Sequence, residues 1–132
     1  MPTQETISTS GTILTNVVDY RVYNQARTNA TIHWHGISQY GSPFSDGTPS
    51  AAQWPIPPGK YFDYEFKFDN DVEGTFWYHS HVGVGTLLAS GPLIVRGRCG
   101  RMHPPIPYDE ERIVMFHDIY DGRDEDLIAV AK

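Results

Sequence analysis

The chain has 132 residues, 39% hydrophobic and 20% charged, which suffices for one globular domain with a real core and a short piece of a second. Its net charge of −6 argues against a nucleic-acid partner, since phosphate binding needs clustered Lys and Arg, and there is no Gly-rich phosphate loop ending in Lys. No apolar run approaches the ~20 residues of a membrane span, and Met1-Pro2-Thr3-Gln4-Glu5 has neither the positive charge nor the apolar stretch of a signal peptide.

Aromatic content of 13%, with 12 Gly and 10 Pro, suggests aromatic strands separated by turns, an all-β sandwich or barrel. Gly11 to Tyr20 reads as one strand, with Ile13, Val17 and Val18 among polar residues. Ala30 to Gly36 reads as a second, with Ala30, Ile32 and Trp34 on one face and Thr31, His33 and His35 on the other. A long polar loop from Ser38 to Gly59 follows, and loops of that length in a compact domain are usually functional or disordered. Tyr61 to Phe68 is the cleanest strand, with Phe62, Tyr64, Phe66 and Phe68 on one face. Gly74 to His81 reads as an aromatic strand and Gly91 to Val95 as a buried one. Arg112 to Phe116 reads as the start of a new strand, and Arg123 to Ala131 has the composition of a short helix. The expected organisation is one domain over residues 1–97, a linker over 98–107, and the truncated start of a second domain over 108–132.

The chemistry sits in two pairs, His33-Trp34-His35 and His79-Ser80-His81, which hold four of the six histidines. On a strand, residues i and i+2 point to one face, their Cα atoms roughly 6.5–7 Å apart. Imidazoles so placed reach two neighbouring metal ions or converge on one, and two such strands side by side offer four to one space. An all-imidazole set suits Zn, Cu, Fe or Ni and disfavours Mg and Ca. Trp34, Trp77 and Tyr78 read as core residues packed around the pairs. His103 in the linker and His117 beyond it carry little signal. Cys99 is the single cysteine, so no intrachain disulfide forms. A blue-copper site pairs two His with a Cys and a Met, and Cys99, His103 and Met115 are badly spaced for one. Asn29-Ala30-Thr31 is a glycosylation sequon, meaningful only in a secreted chain.

Thr31-Ile32-His33-Trp34-His35-Gly36-Ile37 resembles the first copper-binding motif of the multicopper oxidases, the laccase and ascorbate oxidase group, and Gly74-Thr75-Phe76-Trp77-Tyr78-His79-Ser80-His81 resembles the second. Between them, Ser45-Asp46-Gly47 and Gln53-Trp54-Pro55-Ile56-Pro57-Pro58-Gly59 look like the connecting loop of that family. Trp54 in place of a cysteine, together with Tyr108-Asp109-Glu110-Glu111-Arg112, looks most like ascomycete fungal members. The resemblance implies that residues 1–97 are an N-terminal, plastocyanin-like domain, a cupredoxin-like Greek-key β-barrel or sandwich, with a second cupredoxin domain starting at 108. It implies copper as cofactor, with His33 on a type 2 copper and His35, His79 and His81 on a type 3 pair. Asp46 matches a carboxylate that assists proton delivery to dioxygen, although a turn residue before Gly47 explains it equally well.

The implied function is half of a trinuclear cluster that reduces dioxygen to water while a phenolic or similar small substrate is oxidised. The other four cluster histidines and the blue copper belong to a downstream domain with no counterpart here, so the chain alone is expected to be inactive. Residues Val82 to Ser90 depart from the family pattern, and the family's first strand and secretion signal are not recognisable. The implied location is extracellular, with neither membrane nor nucleic acid as partner. Two further readings stay open: a non-catalytic histidine-rich metal-binding module, and a truncated inactive fragment.

Overall fold

The computed structural model describes residues 7–14, 17–83, 89–96, 108–116 and Ala129. Cys99, His103, His117, the linker over 98–107 and nearly all of the segment read as a helix, Arg123 to Ala131, lie outside the described residues; Ala129 itself is helical. Six strands are present among them: β1 (Ile7–Leu14), β2 (Val17–Asn24), β3 (His33–His35), β4 (Tyr61–Lys67), β5 (Gly74–His79) and β6 (Ser90–Val95). They form two three-stranded antiparallel sheets, ordered β1-β2-β4 and β3-β5-β6. No helix among the described residues is long and apolar enough to cross a membrane.

The single strand expected over Gly11 to Tyr20 is instead a hairpin: Leu14 pairs with Val17, and β1 runs back along β2 to Ile7 opposite Asn24. On β2 and β4 the alternation works as the residue types require. Val18 and Val22 on β2, and Tyr64 and Phe66 on β4, all turn inward and are buried. The outward face carries polar pairs, among them Arg21 forked onto Asp63 with both nitrogens at 2.6 and 2.7 Å.

Trp34 is the pivot of the core. Its ring lies 5.5 Å from Tyr20, 5.6 Å from Tyr64, 5.2 Å from Phe66 and 5.9 Å from Tyr78, so one side chain of β3 joins both sheets face to face. Truncating an aromatic at such a point costs about 3–5 kcal/mol. Ile32, Ile37, Ile56, Phe68, Ala89 and Val95 complete the buried cluster.

The strand expected from Ala30 to Gly36 is cut to three residues. Ala30 makes only an isolated bridge to Ile56, and the Ile32 N–H donates to the Tyr64 hydroxyl at 2.8 Å rather than to a strand. The expected faces nonetheless hold for Ala30, Ile32 and Trp34, all buried; Thr31, assigned to the opposite face, is fully buried too. The long loop is ordered. It carries a 3-10 turn at Pro43–Ser45 and buries Ser45, Gln53 and Ile56. Asn24, fully buried, pins its far end by donating to the Thr28 and Ile56 carbonyls and accepting from the Ala26 N–H.

Arg112 to Phe116, expected as a strand, pairs with no strand among the described residues. The segment lies against β5 and β6 instead. Arg96 Nη2 donates to both carboxylate oxygens of Glu111 at 2.9 Å, and a cavity of about 350 Å³ is lined by Thr75, Ile94, Tyr108, Glu111 and Ile113 among others.

Candidate metal centre

The two histidine pairs meet through strand pairing. In the antiparallel register of β3 and β5, His33 stands opposite His79 and His35 opposite Trp77. Side chains of paired residues share a face, so His33, His35, Trp77 and His79 project together, and the chain leaving β5 brings His81 beside them. The His33 ring lies 5.6 Å from His35, 5.4 Å from His79 and 5.5 Å from His81. One ring nitrogen each from His33, His35 and His79 falls within 4.8 Å of the other two. His81 joins through its ring contacts with His33 and His79, the latter at 5.8 Å. All four residues of the two pairs are thus brought to one place.

Hydrogen bonds fix the protons on two of the rings. His33 Nδ1 lies 2.7 Å from the backbone carbonyl of Asp46. A carbonyl only accepts, so Nδ1 carries the proton and the neutral ring keeps its Nε2 lone pair free. His79 Nδ1 donates in the same way to the Ser80 carbonyl at 3.0 Å, and its Nε2 sits 3.4 Å from His35 Nδ1. Metal-binding histidines characteristically donate their other ring N–H to a carbonyl or carboxylate. Burial holds the His79 pKa below the ordinary histidine value despite the opposing Ser80 carbonyl, and the neighbouring imidazoles add to the effect. His79 therefore stays in the ligating, neutral form further into acid than a free imidazole would.

Asp46 is close but not inside the cluster. Its carboxylate Oδ1 is 3.4 Å from His33 Nδ1, and Oδ2 accepts from Thr48 Oγ1 at 2.7 Å. Asp46 thus belongs to a turn and also touches a cluster histidine.

Sequence reasoning missed what four residues contribute. Trp77 stacks on His79 at 4.3 Å and 25° and on His35 at 5.1 Å and 27°, so it is a wall of the cluster rather than plain core. The signal was its parity: Trp77, His79 and His81 share the i, i+2, i+4 spacing of one strand face. Thr31 is fully buried, and its hydroxyl accepts the His81 backbone N–H at 3.3 Å. Ser45 and Gly47 flank Asp46 and hold the turn that reaches His33, through contacts with Glu65 and Ile32 that lie far from it in sequence.

The donor set fits copper. Three imidazole nitrogens within 4.8 Å of one another, with Nε2 of His33 left unprotonated by its carbonyl bond and the unprotonated Nε2 of His79 in only a long 3.4 Å contact with His35, can reach one ion or two neighbouring ions of the imidazole-preferring metals.

Comparison with known proteins gives the same answer independently. The family model described as multicopper oxidase matches residues 13–99. Laccase-like multicopper oxidase 1 of Thermothelomyces thermophilus is 52% identical over 109 residues, covering 82% of this chain and 16% of that protein. Multicopper oxidase terE of Aspergillus terreus is 54% identical over 93 residues, covering 70% of this chain and 17% of that protein. Among solved structures, a blue copper oxidase from Nitrosomonas europaea superposes with a TM-score of 0.59 at 41% identity, over 69% of this chain and 28% of that one. A laccase from Botrytis aclada superposes at 0.57 and 41% identity, over 61% of this chain and 15% of that one. The chain thus spans about a sixth of the length of these two curated relatives, and its two-sheet fold is the cupredoxin-like fold of the solved oxidases. The residues that converge in space are those of the matched region, and the chain belongs to the multicopper oxidase family.

Proposed function

We propose that this chain is the N-terminal copper-binding domain of a laccase-like oxidase and contributes half of the ligands of a trinuclear copper cluster. In this reading His33 serves a type 2 copper and His35, His79 and His81 a type 3 pair. The remaining ligands come from a downstream cupredoxin domain. Residues 1–97 form the domain, 98–107 a linker, and 108–132 the start of the next domain. The observation that carries the reading is the β3–β5 register, which sets His33 opposite His79 and gathers three imidazole nitrogens within 4.8 Å.

Copper bound there would supply the one-electron steps by which dioxygen is reduced to water while a small phenolic or similar substrate is oxidised. The chain's own residues do the preparatory work. The Asp46 and Ser80 carbonyls hold the His33 and His79 protons on Nδ1, leaving Nε2 for the metal. Trp77 stacks on the rings of His35 and His79 and holds their planes in place. In this reading the Asp46 carboxylate, 3.4 Å from His33 Nδ1, assists proton delivery to dioxygen. An extracellular location belongs to the same reading.

Copper titration tests it. The chain and a variant with His33, His35, His79 and His81 all changed to Ala are compared for stoichiometry and affinity, with circular dichroism as the check on folding. Loss of tight binding in the folded variant is expected. Unchanged binding would move the site elsewhere, to His103 and His117 first.

A further inference from the structure

The turn that carries Asp46 is fastened on three sides, and the fastening begins one residue earlier. Ser45 is fully buried. Its hydroxyl donates to the Glu65 carbonyl at 2.7 Å and accepts the Glu65 N–H at 3.0 Å. Glu65 lies on β4, the last strand in the order β1-β2-β4, so a side chain does there what a further strand would do for backbone groups at a sheet edge. One residue on, the Asp46 carbonyl accepts from His33 Nδ1 at 2.7 Å. One residue further, Gly47 presses its backbone onto β3: a Cβ there would fall 1.9 Å from the Ile32 carbonyl oxygen and 2.8 Å from the His33 nitrogen. Three consecutive residues therefore tie β4, the His33 ring and the backbone entering β3.

We propose that Ser45 is a positioning residue for the histidine cluster: by locking the turn to β4 it keeps the Asp46 carbonyl on His33 Nδ1 and so fixes the tautomer that leaves His33 Nε2 as the donor. The inference rests on the copper reading for its consequence, but the tautomer itself requires no metal. The contact that sets the tautomer is the backbone carbonyl at 2.7 Å, while the carboxylate stands off at 3.4 Å. Replacing the Asp46 side chain should therefore leave the His33 proton where it is, whereas removing the Ser45 hydroxyl should release it. Loss of that hydroxyl removes the partner of the part-buried Glu65 N–H and C=O together, the turn loses its tie to β4, and it shifts as those groups find other partners.

The experiment is long-range ¹H–¹⁵N correlation on the metal-free, ¹⁵N-labelled 132-residue chain, which reports the nitrogen that bears the proton in each histidine ring. Wild type and Asp46→Ala should both hold the His33 proton on Nδ1. Ser45→Ala should give a mixture of the two tautomers and about a tenfold loss of copper affinity, the size expected of a residue orienting a ligand. Ser45→Thr, which keeps the hydroxyl, should restore both. A wild-type His33 protonated on Nε2 overturns the proposal without recourse to any variant. So does a folded Ser45→Ala with unchanged tautomer and affinity. A tautomer change in Ser45→Ala, together with copper binding that survives replacement of all four histidines, upholds the positioning role and overturns the copper reading instead.

Discussion

Gly47 and Gly59 share a left-handed backbone, with φ of +78° and +73°, but not an environment. Around Gly59 a Cβ meets nothing within 4 Å; at Gly47 it collides with the Ile32 carbonyl. Gly59→Ala should therefore cost only the left-handed penalty, about 1–2 kcal/mol. Gly47→Ala must also push the turn off β3 and should cost at least about 3 kcal/mol, measured by urea unfolding. Equal costs would mean that the turn yields freely. Tyr64 gives a second single-residue test, this time through pH. Burial pushes its pKa up from the ordinary 10 to about 12, although the Ile32 N–H bonded to its oxygen pulls the other way. A raised folded pKa means that the stability it contributes is complete below pH 10 and is lost as pH climbs toward 12, because the unfolded chain releases the proton first. Wild type should lose about 2–3 kcal/mol across that window on this account. Tyr64→Phe orphans the Ile32 N–H and should start about 1–3 kcal/mol less stable, with a flatter alkaline slope. A slope identical to wild type would assign the alkaline loss to other groups.

At the scale of strands, what could be read from the sequence was whatever periodicity alone determines. Phe62, Tyr64, Phe66 and Phe68 alternate cleanly with charged residues, and the structure buries Tyr64 and Phe66 of β4, and Phe68 just after it, as that pattern requires. The two HxH spacings were enough to bring four imidazoles to common faces, but the register that sets His33 opposite His79 depends on pairing between segments more than forty residues apart. The hairpin of β1 and β2 was invisible because no Gly, Pro or Asn-Gly turn marks the reversal between Leu14 and Val17. β3 ended early because the Tyr64 hydroxyl, a tertiary partner, takes the Ile32 N–H that a longer strand would have used. Trp77 shows the same limit in the other direction, since its parity put it on the histidine face while its composition suggested core. Trp77→Leu should weaken copper binding about tenfold, a typical loss for a residue packed around metal ligands. Titration followed by tryptophan fluorescence checks this. Copper should strongly quench the wild-type emission, because Trp77 lies 4.3 Å from the His79 ring, and should quench Trp77→Leu far less. Equal quenching in both would place the metal away from this face.

At the scale of the whole molecule, the four cluster histidines stand on an open side of the described residues. His35 and His81 are exposed, His33 is half-buried, and only His79 is deep. Exposed imidazoles gathered this closely leave coordination positions facing solvent, and metal affinity follows ligand number and geometry. In the proposed function the four missing ligands and the blue copper lie on a downstream domain that covers this face. In that reading electrons from the reducing substrate enter through the downstream blue copper, since Cys99, His103 and Met115 are badly spaced in sequence to make one. Copper-loaded, this 132-residue chain should therefore take up no oxygen above background with a generic phenolic substrate. Mixing it with a separately produced segment of the same family, bearing the downstream histidine and cysteine motifs, should restore a measurable fraction of oxidase activity if the two faces dock. His81→Ala should abolish that restored uptake, since His81 stands at the open edge of the cluster, beside the His33 and His79 rings and with its backbone N–H on the Thr31 hydroxyl. The measurement is oxygen consumption for the chain alone, for the mixture, and for the mixture with the variant. Robust uptake by the chain alone, lost in His81→Ala, would show that these four histidines suffice for turnover and that the half-cluster reading is wrong.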